Sequence, residues 1–160
     1  MRIRPARPED AAAIWAVIAP PILAGEVFAL PRDMREAEAL AYWCGADRST
    51  FVAEEGSRIL GTYYIRANQA GGGAHVANAG YATAVDAAGR GVARAMCVDS
   101  LDRARAMGYR AMQFNFVVSS NERAVKLWES CGFGIVGRIP RAFDHPELGE
   151  IDALIMFRAL

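Results

Sequence analysis

The chain lacks a net charge, an apolar run long enough to span a bilayer and a cysteine framework, and each absence closes off a class of function. Eighteen Lys and Arg residues balance eighteen Asp and Glu residues. No electrostatic reason therefore exists to expect nucleic acid or a membrane surface as partner. No apolar stretch approaches the ~20 residues of a membrane-spanning helix. The opening MRIRPARPED is charged where a signal peptide needs an apolar core, so a cytoplasmic location is expected. Cys44, Cys97 and Cys131 are odd in number and lack metal-ligand spacing. Buried reduced thiols are the simpler reading, a thiol nucleophile at Cys97 or Cys131 the alternative, and no metal is expected.

What is present fits one soluble domain over residues 1–160. The 53% of hydrophobic residues suffices for a core and excludes a disordered chain. Residues 2–6 can form a short edge strand. An Ala-rich helix over about 9–19 is expected to stop at Pro20-Pro21. Asp33-Met34-Arg35-Glu36 has the form of a capping box and should open a second helix reaching about Cys44. Thr50–Glu54 and Ile59–Ile65 flank Glu55-Gly56-Ser57-Arg58, the pattern of a hairpin. A long strand over His75–Val85, a helix over Gly91–Met107, a strand over Ala111–Val118 and a helix over Asn121–Cys131 follow. Two last strands, Phe133–Arg138 and Ile151–Arg158, would be joined by a loop containing Pro140 and Pro146. The order β-α-α-β-β-β-α-β-α-β-β is that of a mixed α/β fold.

The densest chemical signal is Ala88-Gly89-Arg90-Gly91-Val92-Ala93, between strand and helix. A helix start offers unpaired N–H groups and the positive end of the dipole. Gly89, Gly91 and small Ala93 let an anion approach those amides, with Arg90 or Arg94 adding charge. Glycines at such a junction also serve a turn alone. A Walker loop is excluded, because Val92-Ala93 stands where Lys and Ser/Thr are needed. A dinucleotide fingerprint should follow a first strand, and this loop follows at least three others.

Together with Asn121-Glu122-Arg123-Ala124-Val125-Lys126-Leu127-Trp128-Glu129-Ser130-Cys131-Gly132-Phe133, the loop resembles the GNAT superfamily of N-acetyltransferases. Their pattern is Q/R-x-x-G-x-G/A at a helix start, then N-x-x-A-x-x-L-Y-x-x-x-G-F after the next strand. The resemblance implies a central, mostly antiparallel sheet of six to seven strands flanked by about four helices. It implies acetyl-CoA as cosubstrate and direct attack by a primary amine of a small molecule or peptide; a homodimer is common among such proteins. By resemblance, backbone groups of Ala84 and Val85 hold the pantetheine arm. Gly89, Arg90, Gly91, Val92, Ala93 and Arg94 take the pyrophosphate, and Asn121, Ala124 and Trp128 line the groove. Asn121 is equally a good helix N-cap, and the two roles are compatible.

Two departures bear on catalysis. Ala88 replaces the usual Gln or Arg, and Trp128 replaces the Tyr that commonly protonates the leaving thiolate. An indole N–H donates hydrogen bonds but is no acid near neutral pH. Water or a nearby hydroxyl, Tyr81 among them, can take that role. For the base, Glu26 lies where relatives place a substrate loop, and His75 is a further candidate; His145 in the late loop is a candidate substrate contact, and Phe28 and Tyr63 are either apolar walls or core residues. The missing acid also motivates a second reading, an acyl-CoA-binding module without turnover.

Overall fold

Seven strands and four helices follow one another in the expected order in a computed structural model that describes all 160 residues. They are β1 (Arg2–Pro5), α1 (Ala11–Ala24), α2 (Glu36–Trp43), β2 (Ser49–Glu55), β3 (Arg58–Ala67) and β4 (Val76–Thr83). Then come α3 (Val92–Ala106), β5 (Ala111–Val118), α4 (Glu122–Ser130), β6 (Gly134–His145) and β7 (Gly149–Ala159). One sheet in the order β1-β2-β3-β4-β5-β7-β6 holds every strand, and only β4 and β5 run parallel.

The two sheet faces carry separate cores. Met96 and Leu101 of α3 and Trp128 of α4 bury one face, against Ala77, Ala79 and Phe114. Ile14 and Ile18 of α1 and Trp43 of α2 bury the other, against Val52, Tyr64 and Ala82. No helix is long and apolar enough to cross a membrane.

Several boundaries differ from the sequence reading, each for a physical reason. α1 does not stop at Pro20-Pro21 but runs through both to Ala24, and Gly25 at φ 67 caps it. Ile14, Ile18 and Ile22 recur every fourth residue and are all buried. Burying one such side chain contributes ~1.5–3 kcal/mol, which offsets much of the ~3 kcal/mol that proline costs inside a helix.

α2 starts later than expected. The Glu38 carboxylate, rather than a group of the Asp33 box, accepts the N–H of the N-cap Arg35 at 2.9 Å. β4 ends at Thr83, and Val85–Ala87 turns as a short 3-10 helix. β6 passes through Pro140 instead of breaking there. It is an edge strand, where a missing N–H is tolerated, and it bulges so that Ile139 to Phe143 spans Ala153 to Ile151. Arg141 takes φ 50 in that bulge, and Asp152 accepts its N–H at 3.0 Å.

Candidate active site

The site begins where two strands stop pairing. β4 and β5 are in register only at Val76–Ala111 and Ala77–Met112, then diverge. Asn78 Nδ2 donates to the Gln113 carbonyl at 3.0 Å across the base of this fork. On β5, Phe114 pairs with Met156 and Val117 with Leu154, an extra residue that bends the strand away.

Ladder parity decides which backbone groups face the opening. Asn68 N–H donates to Val76 O and Ala84 N–H to Leu60 O, both at 2.8 Å. Even-numbered residues of β4 thus bond β3, and the backbone groups of Ala79, Tyr81 and Thr83 face the fork. This corrects the expectation for Ala84. Its N–H is given to Leu60, and its carbonyl accepts from Ala87 at 2.9 Å. Val85 lies in the turn beyond β4, 72% exposed.

The glycine loop has the geometry its sequence suggested. Gly89 and Gly91 adopt φ 81 and 78, and Gly91 is the N-cap of α3. Ala95 N–H is the first to bond back, to Gly91 O at 3.0 Å. The amides of Gly89, Gly91, Val92, Ala93 and Arg94 have no backbone partner. A Cβ on Gly91 would meet nothing within 4 Å, so the space before these amides is open. The loop therefore fits an anion held by backbone donors.

Of the two expected cations, Arg94 lines the cavity and Arg90 does not. Arg90 is drawn away by Glu55, at 2.6 Å, and lies outside the cavity wall. Arg94 lines the cavity but donates to Ser130 Oγ at 2.8 Å. Arg123 and Lys126 of α4 also line it, and an Arg123 guanidinium nitrogen lies 3.8 Å from the Cβ position of Gly89. Both sit within the Asn121–Phe133 block. The sequence signal was there, as cations on the first turns of a helix beside an anion loop.

Fork and cradle open into one cavity of about 1090 Å³. It passes from the α3–α4 side, with Ala124 and Trp128, to the α1–α2 side, with Phe28, Tyr42 and Tyr64. Trp128 is buried, its ring 4.8 Å from Tyr81 and 5.1 Å from Phe114. Asn121 also lines the cavity, and its Oδ1 accepts Ala124 N–H at 3.3 Å, so the N-cap role is realised beside the groove. Gly80 permits a close approach: a Cβ there would lie 2.7 Å from the Tyr64 ring.

No Asp, Glu or His lines this cavity. Glu26 is exposed and outside the wall, although its neighbours Val27 and Phe28 belong to it. His75 precedes β4, with Nδ1 3.1 Å from Gly72 O. His145 is buried far along β6, its Nδ1 accepting the N–H groups of Glu147 and Leu148 at 3.1 and 3.2 Å. Tyr63 belongs to the core under α3, hydrogen-bonded to Asp99.

Tyr81 presents its ring to the cavity, but its hydroxyl meets Ser100 Oγ at 2.7 Å in the core. Burial holds that phenol well above its ordinary value of 10.0. Cys97 is fully buried, and burial likewise pushes its thiol up, opposite to what a nucleophile needs.

The model of the acetyltransferase (GNAT) family matches residues 21–133. A GCN5-related N-acetyltransferase from Kribbella flavida is 39% identical, superposes with a TM-score of 0.94, and is covered over 97% of its chain by 99% of this one. A phosphinothricin acetyltransferase of the GNAT superfamily from Sinorhizobium meliloti, solved in complex with acetyl-CoA, is 21% identical. Its TM-score is 0.86, over 99% of this chain and 88% of that one. The N-acetyltransferase aca1 of Schizosaccharomyces pombe is 29% identical over 112 residues, 68% of this chain. The chain spans about half the length of that curated relative, 53% of it. The match of the family model to most of the chain, a range that includes the loop and the fork, makes this protein a member of the GNAT acetyltransferase family.

Proposed function

We propose that residues 1–160 form one acetyl-CoA-dependent N-acetyltransferase domain that acetylates a primary amine of a small molecule or peptide within a ternary complex. The observation that carries this reading is the continuity of the cavity. It joins the unpartnered amides before α3 to the open β4 edge and continues to an aromatic chamber on the opposite sheet face. Acetyl-CoA supplies an activated thioester, and the chain's residues have to position it and admit the amine.

The amides of Gly89 and of Gly91 to Arg94, helped by Arg123 and Lys126, hold the diphosphate. The fork-facing groups of Ala79, Tyr81 and Thr83 bond the pantetheine amides and give an N–H to the thioester oxygen, where charge develops during attack. Asn121, Ala124 and Trp128 form the opposite wall. Trp128 packs and orients; the thiolate leaves without a side-chain acid, which its ordinary pKa of ~8.5 allows. The amine loses its proton to water, because the wall contains no carboxylate or imidazole.

That same lack of a base favours one competing reading, an acyl-CoA-binding module without turnover. A broad panel of amines, amino acids and short peptides, read out by CoA release and product mass, separates the two. Acetylated product supports the transferase. Acetyl-CoA binding with no product across the panel supports the binding module.

A further inference from the structure

The far chamber of the cavity differs from the cradle in the charge on its wall. The wall of the whole cavity carries four formal charges, Arg66, Arg94, Arg123 and Lys126, all positive. The last three lie on the α3–α4 side with the cradle, where the proposed diphosphate would face them, and Lys126 is also 3.7 Å from Glu122. Arg66 stands apart: it follows Tyr64 on β3 at two-residue spacing, so both face the α1–α2 side, and it pairs in register with Asn78 at the base of the fork.

Arg66 is under-partnered. Its Nε is buried without a hydrogen bond, and its Nη1 is 3.6 Å from Asp47 Oδ2, beyond hydrogen-bond length. The same Asp47 carboxylate faces Arg48 Nε at 3.4 Å, so two guanidinium groups share one largely exposed acid. Arg48, with only 7% of its side chain exposed, is stacked 3.9 Å from the Tyr42 ring centre and 4.5 Å from that of Tyr64. Its Nε and Nη1 are also buried without hydrogen bonds. A second positive charge therefore lies behind the two tyrosines that line the chamber.

From this we infer that the acceptor is a small amino acid-like molecule whose carboxylate is bound by Arg66, and that Arg66 sets acceptor specificity. The inference rests on the acetyltransferase reading. A polyamine or lysine-rich peptide would bring further positive charge into a chamber that has no acid to receive it. An amino acid brings a carboxylate of its own to Arg66, which otherwise has only a share of Asp47, and its net charge is zero. Phe28, Tyr42, Tyr64 and Phe116 supply an apolar wall for its side chain.

The test compares the common L-amino acids with their carboxamides and with polyamines, by CoA release and product mass, for the wild type and for Arg66→Gln and Arg66→Lys. The expected result is an amino acid preferred over its own amide by about 10-fold or more in kcat/KM. Arg66→Gln should lower kcat/KM for the acid about 10- to 100-fold more than for its amide, the scale of a charge-assisted hydrogen bond, chiefly through KM. Arg66→Lys should recover part of the loss, since it keeps the charge but not the planar fork. A wild type that uses amides or polyamines as well as acids overturns the inference and leaves the transferase standing. An Arg66→Gln loss that is equal for acid and amide also overturns it. Bound acetyl-CoA with no product from any acceptor overturns both.

Discussion

Asn78 Nδ2 reaches across from β4 to the carbonyl of Gln113 on β5, at 3.0 Å, just where the ladder between the two strands ends. The side chain replaces a backbone donor that the diverging strands can no longer supply, and Asn78 is itself buried. Asn78→Ala should therefore cost about 1–3 kcal/mol of stability by leaving the Gln113 carbonyl unpaired. It should also weaken acetyl-CoA binding, because the fork would lose its brace. Urea unfolding and calorimetric titration with acetyl-CoA measure the two effects. Unchanged stability and affinity would mean that the fork is held by other contacts.

The parts of this site legible in the sequence are those fixed by local chemistry. Gly89 and Gly91 adopt the left-handed φ that their identity permits, and Asn121 caps α4 because its amide reaches the next turn. What the sequence hid depends on partners far along the chain. Arg90 looked like a phosphate ligand until Glu55, 35 residues away, took it. Ala84 looked like a pantetheine contact, but ladder parity gives its N–H to Leu60. Pro20 and Pro140 looked like breakers; a buried Ile22 and an edge-strand bulge carry their elements through. Glu26 is exposed and outside the wall although the next residue, Val27, belongs to it, a difference that position in the sequence does not reveal.

Gly91 separates conformation from ligand space. At φ 78, with nothing within 4 Å of a Cβ, Gly91→Ala should cost about 1–2 kcal/mol through backbone strain alone. Gly91→Glu adds a negative charge in front of the amides and should lower acetyl-CoA affinity at least about 100-fold relative to Gly91→Ala. Equal affinities for the two variants, measured by calorimetry, would remove the diphosphate from this loop.

Asp10 ties β1 to the start of α1. It accepts two hydrogen bonds from Arg4, at 2.7 and 2.9 Å, and the Arg7 N–H at 2.7 Å. The Arg4 guanidinium, above all, holds its carboxyl below the ordinary value of 3.8. A depressed folded-state pKa stabilises the fold at pH above 3.8, and that contribution is lost as pH falls below it and through the folded value. Asp10→Asn should cost about 2–3 kcal/mol at pH 7, less than for a fully isolated charge because Glu54 remains 2.6 Å from Arg4. The gap between wild type and variant should narrow below about pH 4. Urea melts at pH 7 and pH 3 report both numbers, and a constant gap would show that Asp10 does not titrate with folding.

The cavity wall offers no side chain to take the proton from the amine. Asp, Glu and His are absent from it, and burial raises the Tyr64 phenol above its ordinary value of 10.0. The reactive species is then the free amine present in solution at the working pH. The logarithm of kcat/KM should climb with unit slope up to the pKa of the acceptor itself. An acceptor less basic by about 2 units should move the break down by the same amount. An enzyme base would behave differently, fixing the break at one pH whatever the acceptor. Two acceptors of different basicity, followed from pH 6 to pH 10, decide between these outcomes. A shared break would send the search for a base to groups that enter the cavity only once both substrates are bound.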